Sequence, residues 1–136
     1  MKNEDTLAVV ARYFQYLNAE EWEKMAELWH ADARLDASGA RLRVGPDAAV
    51  EYLRKALAPY ALHDDTPTKV SFDGSLAIVE VHYVGTTHDG QDVVIDAQST
   101  YEVADDRILR LTTRYDVERI RQNVTLRPPK GPVASG

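Results

Sequence analysis

The spacing of apolar residues along the chain changes near residue 69. Before that point apolar side chains recur every three or four residues, as on one face of a helix. After it they alternate with polar side chains, as in strands that have one buried face. Helices followed by strands in this order predict an α+β domain.

Three helices and a short hairpin are predicted in the first half of the chain. The first helix carries a broad apolar stripe, a capping-box pattern starts the second, and prolines bound the third. A Ser-Gly turn between the second and third helices indicates a hairpin. The predicted helices cover about 7–17, 21–30 and 46–58, and the hairpin strands cover 34–37 and 41–44.

The second half predicts a long antiparallel meander, because Asp-Gly and similar turn sequences separate the alternating runs. Its strands are predicted over 69–72, 76–87, 92–103 and 108–117. The outer face of this sheet carries acids and arginines on adjacent strands, which is consistent with either a solvated surface or a polar dimer interface.

The inner face predicted for these strands is apolar except for a few polar side chains. Ser99 and Thr113 lie on it and are candidates to orient the polar atoms of a ligand, although they could equally bond within the sheet. The aromatic residues of the same face, Tyr83, Tyr101 and Tyr115, are predicted to line the wall of a cavity.

Composition narrows the classes of function. The chain has 136 residues, the size of one domain, and its formal net charge of −6 argues against nucleic acid or an anionic membrane as partner. It has no cysteine, so thiolate chemistry is excluded, and its histidines lack the spacing of metal ligands. The start has no apolar signal stretch, so we expect a cytoplasmic protein. We predict a domain over 1–122 and a loose tail over 123–136.

The segment AVVARYFQYLNAEEWEKMAELWHADARLD, residues 8–36, resembles the opening of bacterial ketosteroid isomerases. The order of elements is similar to the wider NTF2-like, or SnoaL-like, superfamily. The resemblance implies an α+β cone of three N-terminal helices packed on a strongly curved antiparallel sheet that encloses a pocket. By analogy with the superfamily it also implies a homodimer that associates through the outer face of the sheet.

The isomerases use a carboxylate base, together with a tyrosine and a protonated acid that donate hydrogen bonds to the enolate. By this resemblance Tyr13 occupies the position of the tyrosine donor. The base position falls on Ala37, and the position of the protonated acid falls on Ser99. Asp36 lies one residue before the base position, so it becomes the candidate base only if a bulge near Ser38 and Gly39 turns it inward.

Each remaining candidate also has a plain structural explanation. Tyr13 could be a packed aromatic residue, and Asp36 a solvated acid opposite an arginine. His63 precedes two acids, so it is a candidate acid or base at the pocket mouth, but its polar surroundings favour an exposed loop. Trp29, predicted on the second helix, belongs to either the core or the cavity wall.

Two hypotheses for function follow. The first is an isomerase, cyclase or dehydratase (lyase) that transfers a proton beside a carbonyl of a hydrophobic, ring-containing substrate, without a cofactor or metal. The second is a dimeric, non-catalytic protein that binds a small apolar ligand. Loss of the matched base at Ala37 supports the second.

Overall fold

The computed structural model describes residues 3–115, which form three helices and six strands. The predicted boundary at residue 122 and the tail lie outside these residues. The helices are α1 (Asn3–Ala19), α2 (Trp22–Glu27) and α3 (Pro46–Leu57). The strands are β1 (Trp29–Ala37), β2 (Arg43–Val44), β3 (Tyr60–Asp73), β4 (Leu76–Thr87), β5 (Asp92–Ala104) and β6 (Arg107–Arg114).

All six strands form one sheet in the order β2-β1-β6-β5-β4-β3. Neighbouring strands are antiparallel except β1 and β6, which run parallel and place the first strand beside the last. Register shifts interrupt the β3–β4 pairing between Tyr60 and Leu62 and again between Pro67 and Lys69, and such bulges increase the bend of a sheet. The helices pack on one face of this curved sheet, so the α+β cone predicted from the sequence is confirmed.

The core lies between α1 and the concave face of the sheet. Most of the apolar stripe of α1 is buried, although Leu7 and Ala11 are exposed. Tyr13 and Phe14 of this stripe contact Tyr101 on β5 through edge-to-face rings. The fully buried side chains around this contact come from the other elements and include Met25, Leu35, Val79, Val81, Ile108 and Leu111. The core thus fixes α1 over the middle of the sheet.

Two elements differ from the prediction. Helix α2 ends at Glu27, and Trp29 starts β1, where it lies opposite Ile108 of β6 and is 2% exposed. Strand β3 starts at Tyr60 rather than near residue 69, because residues 60–73 pair with β4 from one end to the other, apart from the two register shifts. The expectation that His63 lies in an exposed loop was therefore wrong: tertiary pairing overrides local polarity there.

Strand β6 also shows a change of face. Both Leu111 and Ile108 are fully buried although they are three residues apart, because the pairing of β6 with β5 has a register irregularity between Glu102 and Val103. Within residues 3–115, no helix combines the length and apolar character needed to cross a membrane.

Candidate functional site

A cavity of about 550 Å³ opens between α1, α3 and the concave face of the sheet. Its wall is mostly apolar and aromatic, with a few polar and charged side chains at separate places. The side chains that matter for chemistry are Tyr13, Arg43, Tyr52, Tyr60, His63, Asp65, Tyr83, Thr113 and Tyr115. Ligand sites have this composition, in which apolar walls give affinity and few polar groups give orientation.

Asp65 is the buried acid of this cavity. It lies on β3 opposite Tyr83 of β4, and only 2% of its surface is exposed. Strand β3 is an edge strand, so some of its backbone groups lack a strand partner. Asn18 at the end of α1 supplies that partner: its Nδ2 donates to the Asp65 carbonyl at 2.9 Å, and its Oδ1 accepts from the Asp65 N–H at 2.8 Å. These two bonds fix the acid in place.

His63 lies two residues before Asp65, and its side chain is 6% exposed. Its Nε2 donates to Glu20 Oε2 at 2.9 Å, and its Nδ1 lies 3.5 Å from Asp65 Oδ2. The His63 ring therefore lies between the Glu20 carboxylate and the buried carboxylate of Asp65.

The electrostatic environment of Asp65 suits a base. Burial raises the pKa of Asp65 to about 6, with a smaller contribution from the charge of Asp64, while His63 acts in the opposite direction. Asp65 Oδ2 and His63 Nδ1 are both buried without a hydrogen-bond partner among residues 3–115. A buried carboxylate oxygen without a donor is costly, so a donor or proton from a ligand would be bound strongly there.

Tyr13 reaches the same cavity from α1. Burial raises its pKa well above the ordinary value, and the charges of Tyr83 and Asp65 add to this effect. The Tyr101 hydroxyl acts in the opposite direction through a hydrogen bond. Tyr13 is therefore protonated at neutral pH, so its hydroxyl has a proton to donate in a hydrogen bond.

A second polar group, Arg43, enters the cavity wall from β2. Its guanidinium lies 5.1 Å from the ring centroid of Tyr52, and its Nη1 donates to the Arg41 carbonyl at 2.7 Å. Burial raises the pKa of Tyr52 to about 12, with a further contribution from Tyr115, while the Arg43 charge lowers it. The cavity lining thus holds a cation from one edge strand and an acid from the other, together with Lys55 on α3, whose Nζ pairs with Glu51 Oε2 at 3.3 Å.

The structure brings together five of the residues selected from the sequence: Tyr13, His63, Tyr83, Thr113 and Tyr115. The remaining substrate-binding candidates, Ser99, Tyr101 and Trp29, are buried outside the lining of this cavity. Ser99 Oγ lies 3.2 Å from Thr113 Oγ1, so Ser99 is hydrogen-bonded to a lining residue without lining the cavity itself. Trp29 packs in the core, 6.4 Å from the ring of Tyr13.

Asp36 does not enter the cavity. The alternation of β1 turns Leu35 and Ala37 inward and Asp36 outward, where its Oδ2 lies 3.4 Å from Arg114 Nη2. The irregularity of β1 precedes Arg34, and the strand stays regular from Arg34 to Ala37. The inward rotation considered for Asp36 therefore does not occur.

Five aromatic or charged lining residues were not selected from the sequence: Arg43, Tyr52, Lys55, Tyr60 and Asp65. His63 and Asp65 are two apart, the spacing that puts side chains on one face of a strand, so assigning a strand to this segment would have paired them. Tyr52 stands on α3 one residue before the buried Leu53. For metals, residues 3–115 contain no group of three His, Asp or Glu side chains arranged to hold an ion.

Residues 10–111 match the family model described as SnoaL-like domain. The search of curated proteins found no match. Among solved structures, the chain is similar to a provisionally named SnoaL-like polyketide cyclase from Jannaschia sp. CCS1, with a TM-score of 0.81 and 13% identity over 92% of this chain and 94% of that one. At this identity the likeness shows the fold.

Two further solved structures share the fold. An LEH-like epoxide hydrolase from M. tuberculosis has a TM-score of 0.76 and 16% identity over 90% of each chain. A protein with a ketosteroid isomerase-like fold from Catenulispora acidiphila, in complex with trimethylamine, has a TM-score of 0.77 and 13% identity over 88% of this chain and 93% of that one.

Proposed function

The chain belongs to the family of SnoaL-like domains, and from this premise we propose that it is an enzyme acting on a hydrophobic, ring-containing small molecule. The proposed reaction is proton transfer beside a carbonyl group, which leads to isomerisation, cyclisation or dehydration. The observation that carries the proposal is the buried Asp65 carboxylate, whose Oδ2 has no hydrogen-bond partner among residues 3–115 and which shares one cavity with Tyr13.

In the proposed mechanism Asp65 takes the proton. A ketone binds with its α-carbon at Asp65 Oδ2 and its oxygen at the Tyr13 hydroxyl. The C–H bond breaks, the proton passes to the carboxylate, and the electron pair moves onto the carbonyl oxygen as an enolate. Tyr13 stabilises the enolate by a hydrogen bond in a dry cavity, where such a bond is strong. Return of the proton to another carbon completes an isomerisation.

The pKa of Asp65 supports this role. A base with a pKa near 6 is ionised at neutral pH and accepts a proton more readily than an ordinary aspartate. The His63 ring lies 3.5 Å from Asp65 Oδ2 and 2.9 Å from Oε2 of Glu20, which is half exposed, so these side chains connect the base to the surface. This assignment gives Asp65 the role that the sequence had suggested for Asp36.

The proposal is tested by hydrogen–deuterium exchange of a simple cyclic ketone, 2-tetralone, in D₂O. We expect the wild type to speed deuterium incorporation beside the carbonyl, measured by NMR. Asp65→Asn should lower that rate by a factor of about 100 or more, since a lost general base costs 10²–10⁴-fold. Tyr13→Phe should lower it by about tenfold or more.

Asp36→Asn is the matched control, because it makes the same chemical change on the outward face of β1 and should leave the exchange rate unchanged. Exchange no faster than in buffer, or equal rates in wild type and Asp65→Asn, would rule the proposal out. Thermal denaturation of each variant tests whether the fold is retained.

A second candidate function is binding without turnover, and Ala37 favours it. Ala37 lines the cavity at the position where the resembling isomerases keep their base, so the matched carboxylate is missing. In that case 2-tetralone exchange stays at the buffer rate, while a phenol such as 2-naphthol still binds and raises the melting temperature.

A further inference from the structure

We propose that the ligand of this cavity is a ring compound that carries a carboxylate, and that Arg43 binds the carboxylate while the reacting end of the ring lies at Asp65. This inference rests on the proposed function, because it names the substrate class of the same site. It concerns recognition, whereas the proposed function concerns proton transfer.

The first support is the free bonding capacity of Arg43. A guanidinium has five N–H donors, and here one contact goes to the Arg41 carbonyl. No carboxylate among residues 3–115 lies within ion-pair distance of Arg43. The guanidinium lies over the Tyr52 ring at the cavity wall, with its carbon 5.1 Å from the ring centroid. Its remaining donors are available to a ligand, and a carboxylate accepts two of them in parallel.

The second support is the separation of the two charged groups. Arg43 is on β2 and Asp65 is on β3, and these strands form opposite edges of the sheet. Asp65 acts electrostatically on Tyr13, Tyr60 and Tyr83, whereas Arg43 acts on Tyr52. A ligand that spans the cavity therefore meets a cation at one end and a base at the other.

The third support is the wall between the two ends. Leu35, Ala37 and Leu53 are apolar and buried, and the tyrosines around them present flat ring surfaces. Such a wall suits a planar or polycyclic body, since stacked and edge-to-face rings add to the burial of apolar area. The chain as a whole is acidic, so Arg43 is a local feature and does not reflect a general attraction for anions.

The test uses two fluorescent probes that differ in one charge. They are 6-hydroxy-2-naphthoate and its methyl ester, titrated into the full chain at pH 7. We expect the wild type to bind the acid about tenfold or more tightly than the ester, because a hydrogen bond between two charged groups is about twice as strong as one between neutral groups. In Arg43→Gln the two dissociation constants should become equal within about twofold, with the ester value unchanged.

Arg54→Gln is the control for long-range charge. Arg54 is exposed on α3, two residues after Tyr52, and lies outside the cavity lining. The variant has the same net charge as Arg43→Gln, so it should keep the preference for the acid. Equal binding of acid and ester by the wild type, no binding of either probe, or a preference that survives in Arg43→Gln would each overturn the inference.

These outcomes are separable from failure of the proposed function. If 2-tetralone exchange depends on Asp65 but the acid is not preferred, the proton-transfer proposal stands and the substrate class is wrong. If the acid is preferred through Arg43 but no exchange occurs, the cavity recognises carboxylates without performing the reaction.

Discussion

Asp65 makes the stability of the protein depend on pH in an unusual direction. Its pKa is about 6 in the folded chain and near 3.9 when unfolded, so the folded state holds the proton more tightly. The stabilisation from this proton is present at low pH and is lost as the pH rises through 6. Most aspartates that are paired or hydrogen-bonded in folded proteins have the opposite effect.

Asp65→Asn should remove this loss, since an amide does not ionise. Between pH 5 and pH 8 the ionisation of Asp65 should lower the free energy of unfolding of the wild type by about 1–2 kcal/mol. The variant should not show this decrease. Urea unfolding at the two pH values measures the difference. Asp36→Asn, whose side chain lies in solvent beside Arg114, should show no such dependence. Equal pH profiles for wild type and Asp65→Asn would contradict the prediction.

The sequence predicted several residues of the cavity wall but not its buried acid, Asp65. Helical spacing and the family resemblance both identified Tyr13 as a site candidate. Strand alternation identified Tyr83, Thr113 and Tyr115. Asp65 was missed because the charged, proline-containing segment around it has the local signs of a loop. Only pairing with β4 and the two bonds from Asn18 make a strand of it, and both are long-range contacts.

At the level of elements, α1 holds β3 in place through Asn18. Asn18→Ala leaves a backbone N–H and a backbone carbonyl of Asp65 without their partners, so we expect the free energy of unfolding to fall by about 2 kcal/mol. Because Asn18 positions the base, 2-tetralone exchange should fall as well. Gln15→Ala, on the exposed side of the same helix, should change neither quantity. Unchanged stability and unchanged exchange in Asn18→Ala would show that the two bonds have no such role.

The predicted elements were most accurate where one local rule decides the structure. Helix α3 lies between its prolines as expected, and β4 covers the predicted residues 76–87. The errors lie where pairing decides: Trp29 fits the spacing of α2 but pairs with β6, and residues 60–68 pair with β4 despite their polarity. Local patterns do not contain these distant partners.

At the scale of the whole molecule we expect a homodimer formed through the outer face of the sheet. That face carries ordered polar pairs across β4 and β5, His82 with Asp96 at 2.7 Å and Gln98 with Glu80 at 3.0 Å. Sedimentation equilibrium at micromolar concentration should give roughly twice the chain mass of 15.2 kDa. A single species of chain mass would contradict the prediction.

The position of β6 has a consequence for synthesis on the ribosome. This strand follows the other five along the chain, yet it lies inside the sheet between β1 and β5. Its Thr113 pairs with Ala37 of β1. Until β6 leaves the ribosomal exit tunnel, β1 has no parallel partner and the adjoining edge of β5 stays open. Contacts between such distant residues are slow to form, and unpaired strand edges favour aggregation, so we expect this domain to be most prone to aggregation before β6 is in place.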